Sequence, residues 1–189
     1  DKLKKKLALF CNVEPSKVFE SPDVNTIYSI PLVLYRQGFD KVVFDRLGLI
    51  KSKKHKNIRV LEKFMYRYSN PKSIVNIAIC GKYNGLHDAY KSILEALIHS
   101  GVDNFVEVNV KWIDTEKLEK TVNIDKIFEN INGVIIPGGF GNRGIEGKIL
   151  ASKFARENKI PFLGICLGLQ CAVIDFARNE CGLNGANST

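Results

Sequence analysis

From residue 75 onward, short apolar runs alternate with longer stretches whose apolar positions recur every three or four residues. This pattern predicts strands over 75–80, 106–112, 133–136 and 162–165, and helices over 88–99, 125–130, 146–158 and 167–178. Val106, Val108, Val110 and Trp112 alternate with polar residues, so that strand reads as half-buried. Gly101 is expected to stop the helix before it. Repeated β-α units predict an α/β fold, a parallel sheet with helices on both faces. Ligands of such sheets sit at the C-terminal ends of the strands, where 137–144 and Cys166 fall.

The first 74 residues are patterned differently. The apolar run 7–10 predicts a short strand, and Pro15-Ser16 a turn or brief helix. Asn25-Thr26 can cap a helix reaching Gln37 and ended by Gly38, with Pro31 marking a kink or a late start. Residues 51–57 are charged and weakly apolar and read as a linker. Val60, Phe64 and Tyr68 have helical spacing, and Asn70-Pro71 breaks the chain. No internal repeat or low-complexity tract occurs.

Charge follows the same division. The net +8 belongs to the first segment, where residues 1–75 hold 16 lysines and arginines against 7 acids and the remainder is nearly balanced. A solvated face or a site for nucleotide phosphates accounts for this better than nucleic-acid binding, because no DNA- or RNA-binding motif accompanies it. An apolar share of 45% supports a core, and no apolar run approaches the roughly 20 residues a membrane helix needs. The N-terminal lysines are followed by no signal-peptide pattern. Five cysteines at 11, 80, 166, 171 and 181 form no CxxC pair and no zinc spacing, so no metal site is expected. The odd count points to a reducing compartment, and the cytoplasm is the expected location. Cys11, Cys80, Cys171 and Cys181 read as core residues.

Cys166 reads otherwise. The segment Gly164-Ile165-Cys166-Leu167-Gly168 has the G-x-nucleophile-x-G layout of a strand-turn-helix elbow, with cysteine as the nucleophile. The turn lifts the sulfur clear of the sheet, and the helix N-terminus favours the thiolate. Gly139-Phe140-Gly141-Asn142-Arg143-Gly144 formally matches GxGxxG, but the next strand ends in Cys166, where a dinucleotide site would carry an acid. Ile149 after Lys148 excludes a P-loop. An oxyanion hole suits the loop better, since paired glycines let backbone N–H groups approach a substrate.

These segments resemble the class I glutamine amidotransferases. Residues 133–148, the closing Asn187-Ser188-Thr189, and 7–13 and 23–28 are similar, more narrowly, to the CTP synthases. The resemblance implies that 1–50 is the end of an α/β, P-loop-type synthetase (amidoligase) domain, 51–74 an interdomain linker, and 75–189 an amidotransferase domain incomplete at its C-terminus. It implies ATP-dependent amination of UTP to CTP, in pyrimidine biosynthesis, with ammonia released from glutamine at Cys166. Gly139 and the N–H of Leu167 are then the oxyanion donors. Gly138, Gly139, Phe140, Leu167, Gly168, Leu169 and Gln170 form the glutamine site. Arg143, Gly144, Glu146 and Lys82 serve the response to the activator GTP. Lys6 contacts the pyrimidine nucleotide, and Asp23 and Val24 lie near the adenine of ATP. The family's phosphate loop and magnesium carboxylates precede residue 1, and its catalytic His and Glu follow Thr189, so 189 residues alone are not expected to turn over glutamine. His55, His87 and His99 match no catalytic motif. A homotetramer is implied, with no nucleic-acid or membrane partner. The residues leave open an amidotransferase subunit of another synthetase and a non-catalytic relative with a structural or regulatory role.

Overall fold

A computed structural model of the chain describes residues 2–49, 56–82 and 87–187. They form two compact units, 1–70 and 71–189.

The first unit is helical: α1 (Lys2–Phe10), α2 (Ile30–Arg36), α3 (Phe39–Arg46) and α4 (Lys56–Ser69). The expected strand at 7–10 is instead the end of α1. Leucine, lysine and alanine are all good helix formers, the run holds no β-branched residue, and only Ala8 in it is buried. Of the two readings of Pro31, the late start is correct. Thr26 caps a single 3-10 turn, accepting from the Tyr28 N–H at 3.4 Å, and Pro31 sits in the first turn of α2, where its missing N–H costs nothing. Gly38, at φ 78°, separates α2 from α3. Tyr28 packs on Phe64 of α4, ring centres 4.9 Å apart, and Phe19 meets Phe39 edge to face at 5.1 Å. The residues 51–55 of the expected linker lie outside the described residues.

The second unit runs β1 (Ser73–Gly81), α5 (Lys91–Asn104), β2 (Val106–Asp114), α6 (Thr115–Leu118), α7 (Ile124–Ile127), β3 (Gly133–Ile136), α8 (Ile145–Glu157), β4 (Phe162–Gly164) and α9 (Leu167–Asn179). The strands pair in parallel in the order β2-β1-β3-β4. The chain therefore reverses direction across the sheet between β1 and β3, and right-handed crossovers put α5 on the opposite face from α8. Asparagines set the register at the foot of the sheet. Asn76 exchanges hydrogen bonds with Asn132, its N–H donating to Asn132 Oδ1 (2.9 Å) and its carbonyl accepting from the Asn132 N–H (2.8 Å). Asn109 donates to the Asn76 side-chain oxygen at 2.9 Å.

The core lies between the sheet and α8, built from Ala78, Cys80, Val134, Ile136, Ala151 and Ala155. All four residues of β3 are buried, as expected of an inner parallel strand. Helix α5 begins later and ends later than expected. A 3-10 turn occupies His87–Tyr90, and the helix passes through Gly101 to Asn104, closing on Phe105 in the left-handed region. Gly101 is there for proximity, since a methyl group on it would lie 2.7 Å from the Val106 carbonyl oxygen. Cys80 and Cys171 are core residues. Cys11 and Cys181 are not: both are exposed, each just past the end of a helix.

Candidate active site

The loops after β3 and β4 meet at the C-terminal edge of the sheet, with Lys82 at the end of β1 beside them. That is the edge at which the reversal between β1 and β3 opens a crevice. Ile165 extends β4, its N–H donating to the Ile136 carbonyl at 2.9 Å. The chain then turns sharply at Cys166, whose backbone takes φ 52° and ψ −107°, a region costly for any residue but glycine. The turn is tight enough to require both flanking glycines. A methyl on Gly164 would meet the Gly168 carbonyl carbon at 2.6 Å, and one on Gly168 would sit 2.0 Å from the Ile136 oxygen. Cys166 is exposed, and α9 begins immediately after it, presenting the positive end of a 13-residue helix to the sulfur.

The loop after β3 lies against this turn. A methyl on Gly138 would lie 3.4 Å from the Cys166 Cβ, and one on Gly139 would lie 3.8 Å from Leu167 Cδ2. The N–H groups of Gly139 and Leu167 have no hydrogen-bond partner among the described residues. The structure thus brings together Gly138, Gly139, Cys166 and Leu167, all singled out from the sequence. Leu167 and Gly168 are buried, whereas Leu169 and Gln170 are exposed on the first turn of α9. Phe140, 89% exposed, stands at the rim. Its carbonyl accepts a hydrogen bond from the Lys82 ammonium at the end of β1.

Gly144, at φ 74°, precedes α8, and its hydrogen faces the Thr115 hydroxyl so closely that a methyl would lie 2.4 Å from it. Arg143 pairs with Glu116 at 3.6 Å and Glu146 with Arg178 at 2.8 Å. Arg143 and Glu146 therefore face different partners. Lys6 and Asp23 are exposed and Val24 half-buried in the first unit. His55 lies outside the described residues. His99 is exposed on α5, which packs on β2, the strand farthest from β4.

Sequence reasoning passed over Lys148. It is 2% exposed in the first turn of α8, and its Nζ would lie 3.4 Å from a methyl on Gly139. Burial pulls its pKa below the ordinary lysine value. Cys171, Cys166 and Cys80 pull it back up, and Lys82 pushes it down further. Burial likewise pushes the thiols of Cys80 and Cys171 up, against the pull of Lys148. The signal available in the sequence was position alone: Gly147, Lys148 and Ile149 begin a helix directly after a glycine loop.

Residues 86–185 match the family model described as glutamine amidotransferase class-I. The chain belongs to the class I glutamine amidotransferases. Residues 1–49 of this amidotransferase match the model of the CTP synthase N-terminus. Among curated relatives, the CTP synthase of Methanocaldococcus jannaschii is 51% identical over 100% of this chain and 36% of its own length. That of Syntrophus aciditrophicus is 48% identical over 99% of this chain and 34% of its own. The chain thus spans about a third of the length of the curated relatives it matches. A solved structure of the Trypanosoma brucei CTPS glutaminase domain with bound acivicin is 41% identical, with a TM-score of 0.55 over 60% of this chain and 44% of that one.

Among the described residues no three His, Cys, Asp or Glu side chains gather where they could hold a metal ion. No helix among them is long and apolar enough to cross a membrane.

Proposed function

We propose that the second unit releases ammonia from glutamine at Cys166, and that this ammonia serves an ATP-driven amination of UTP to CTP. The observation that carries the first half is the exposed cysteine in its strained turn, with the Gly138-Gly139 backbone packed against it. The Cys166 thiolate bonds to the side-chain amide carbon of glutamine, and the carbonyl π pair moves onto oxygen. The N–H groups of Gly139 and Leu167 receive that charge. Collapse restores the carbonyl and expels the nitrogen as ammonia, which takes its proton from a histidine acid that the family places C-terminal to Asn187-Ser188-Thr189. Water then adds to the thioester, and glutamate leaves with return of the thiolate. Gly138, Phe140, Gly168, Leu169 and Gln170 hold the glutamine.

The second half rests on the match of residues 1–49 and on the relatives. Residues 1–50 are assigned to the end of the synthetase domain, 51–74 to the linker and 75–189 to the amidotransferase domain. Lys6, Asp23 and Val24 lie on the nucleotide side. Arg143, Gly144, Glu146 and Lys82 serve activation by GTP, the first and third by exchanging their present partners Glu116 and Arg178. A cytoplasmic homotetramer completes the reading.

Intact-mass measurement after treatment with acivicin or a diazo-ketone analogue of glutamine tests the site, with Cys166→Ala as control. One adduct, lost in the variant, supports it; no adduct on folded protein overturns it. Transfer of label from amide-15N glutamine to the exocyclic amine of CTP, in a full-length protein carrying these residues, tests the reaction. Label that appears as ammonia but never in CTP would point to a different synthetase.

A further inference from the structure

We propose that Lys148 is an electrostatic positioning residue of the Cys166 site, supplying a fixed positive charge beneath the Gly139 peptide for the oxyanion formed there. The inference rests on the acyl-transfer reading above and adds a residue to it.

Three observations carry it. First, the side chain is almost wholly buried, yet no ion pair or hydrogen bond to its ammonium is seen among the described residues. A buried charge is ordinarily paired, because leaving water is costly. The titratable groups around it are the thiols of Cys171, Cys166 and Cys80 and the ammonium of Lys82. Second, its place is fixed by the backbone. Side chains in a helix lean toward the N-terminus, so a lysine in the first turn of α8 reaches back under the loop that α8 follows. Its Nζ occupies the side of Gly139 where a side chain would otherwise sit. Third, that same peptide presents its N–H, unbonded, beside Leu167 and the Cys166 turn.

The resting site therefore holds a lysine side chain with no ion-pair partner among the described residues. It lies under the point where addition of the thiolate to a carbonyl would place a negative charge. An interaction of this kind is weak with neutral glutamine and strong with its tetrahedral adduct, which is the condition for raising rate rather than affinity.

The test compares Lys148→Met with the unaltered full-length protein. The probe for the adduct is the γ-aldehyde analogue of glutamine, to whose carbonyl carbon Cys166 adds while the π pair moves onto oxygen. We expect the aldehyde to bind on the order of 10- to 100-fold more weakly in the variant, and glutamine kcat to fall comparably, with KM changed less than about threefold. A purely structural lysine would move KM and aldehyde affinity together. Equal loss in both, or no loss, overturns the inference. Should Lys148→Met fail to fold, Lys148→Gln is measured by the same ratio. If the unaltered protein neither binds the aldehyde nor hydrolyses glutamine, it is the parent reading that fails.

Discussion

Arg156 of α8 holds both carboxylate oxygens of Asp175 of α9, Nε donating at 3.0 Å and a terminal nitrogen at 3.2 Å. Asp175 is 1% exposed, whereas the guanidinium reaches solvent and also pairs with Glu180. The pair ties together the two helices that bracket the Cys166 turn.

The two ends of that pair are unequal. Arg156→Ala leaves a buried carboxylate with, among the described residues, only Asn179 Nδ2 for company, and should lower stability by about 3–5 kcal/mol. Asp175→Asn leaves a cation that water can still reach, and should cost about 2 kcal/mol. Urea unfolding of both variants checks the order. A larger loss in Asp175→Asn would contradict it.

Cys166 adopts a conformation that only glycine takes freely. Cys166→Gly should therefore unfold at higher urea than Cys166→Ala, by about 1–3 kcal/mol, while neither variant is labelled by the glutamine analogues. Equal stabilities would mean that the turn relaxes when the sulfur is removed.

The glycines beside it have no such latitude. Gly168→Ala sets a methyl against the Ile136 carbonyl, part of an inner strand that cannot retreat. We expect a loss of roughly 1–3 kcal/mol or more and no labelling of Cys166 even in the folded fraction, read by intact mass. Gly182→Ala is the control. Unlike Gly168 it has a positive φ, and it has open space around it, so its cost is strain alone and labelling persists.

Lys148 makes stability depend on pH in a defined direction. Burial lowers its folded pKa below the ordinary 10.5, so between the lowered value and 10.5 the unfolded chain binds more protons than the folded one. Stability contributed by this group therefore rises with pH through that window. At neutral pH, Lys148→Met should be more stable than the parent protein. The gap should narrow as pH climbs toward 10.5, measured by urea unfolding at several alkaline pH values. A gap that widens would mean that the ammonium is stabilised in the fold.

Much of the second unit could be read from the chain because its parallel strands are short, mostly apolar runs: 75–80, 133–136 and 162–165 each correspond to a strand. The thiol turn was legible for a different reason. Its glycines and cysteine are local, and their spacing carries the geometry. Where burial depended on the far side of the chain, the reading faltered. Residues 7–10 are apolar but mostly exposed, so their apolarity said nothing about a strand. Gly101 looked like a stop and proved to be a point of contact with Val106. Lysine at 148 gave no hint of burial, since lysines in helices usually lie in solvent. Only the docking of α8 on β3 shows which way it faces. The Arg156–Asp175 pair joins residues on different helices, and neither helix's own pattern announces it.

The strand order also sets an order of assembly. Ile77, Ala78 and Ile79 of β1 pair with β2 on one side and β3 on the other, and β4 joins only through β3. Each parallel pairing closes a long loop before it returns any contacts. The Cys166 turn hangs on the last strand to dock, so it is expected to set last in folding and to open first in native-state amide exchange. A half-folded chain would then carry an ordinary thiol, and the reactive geometry would exist only once the rest of the sheet is in place.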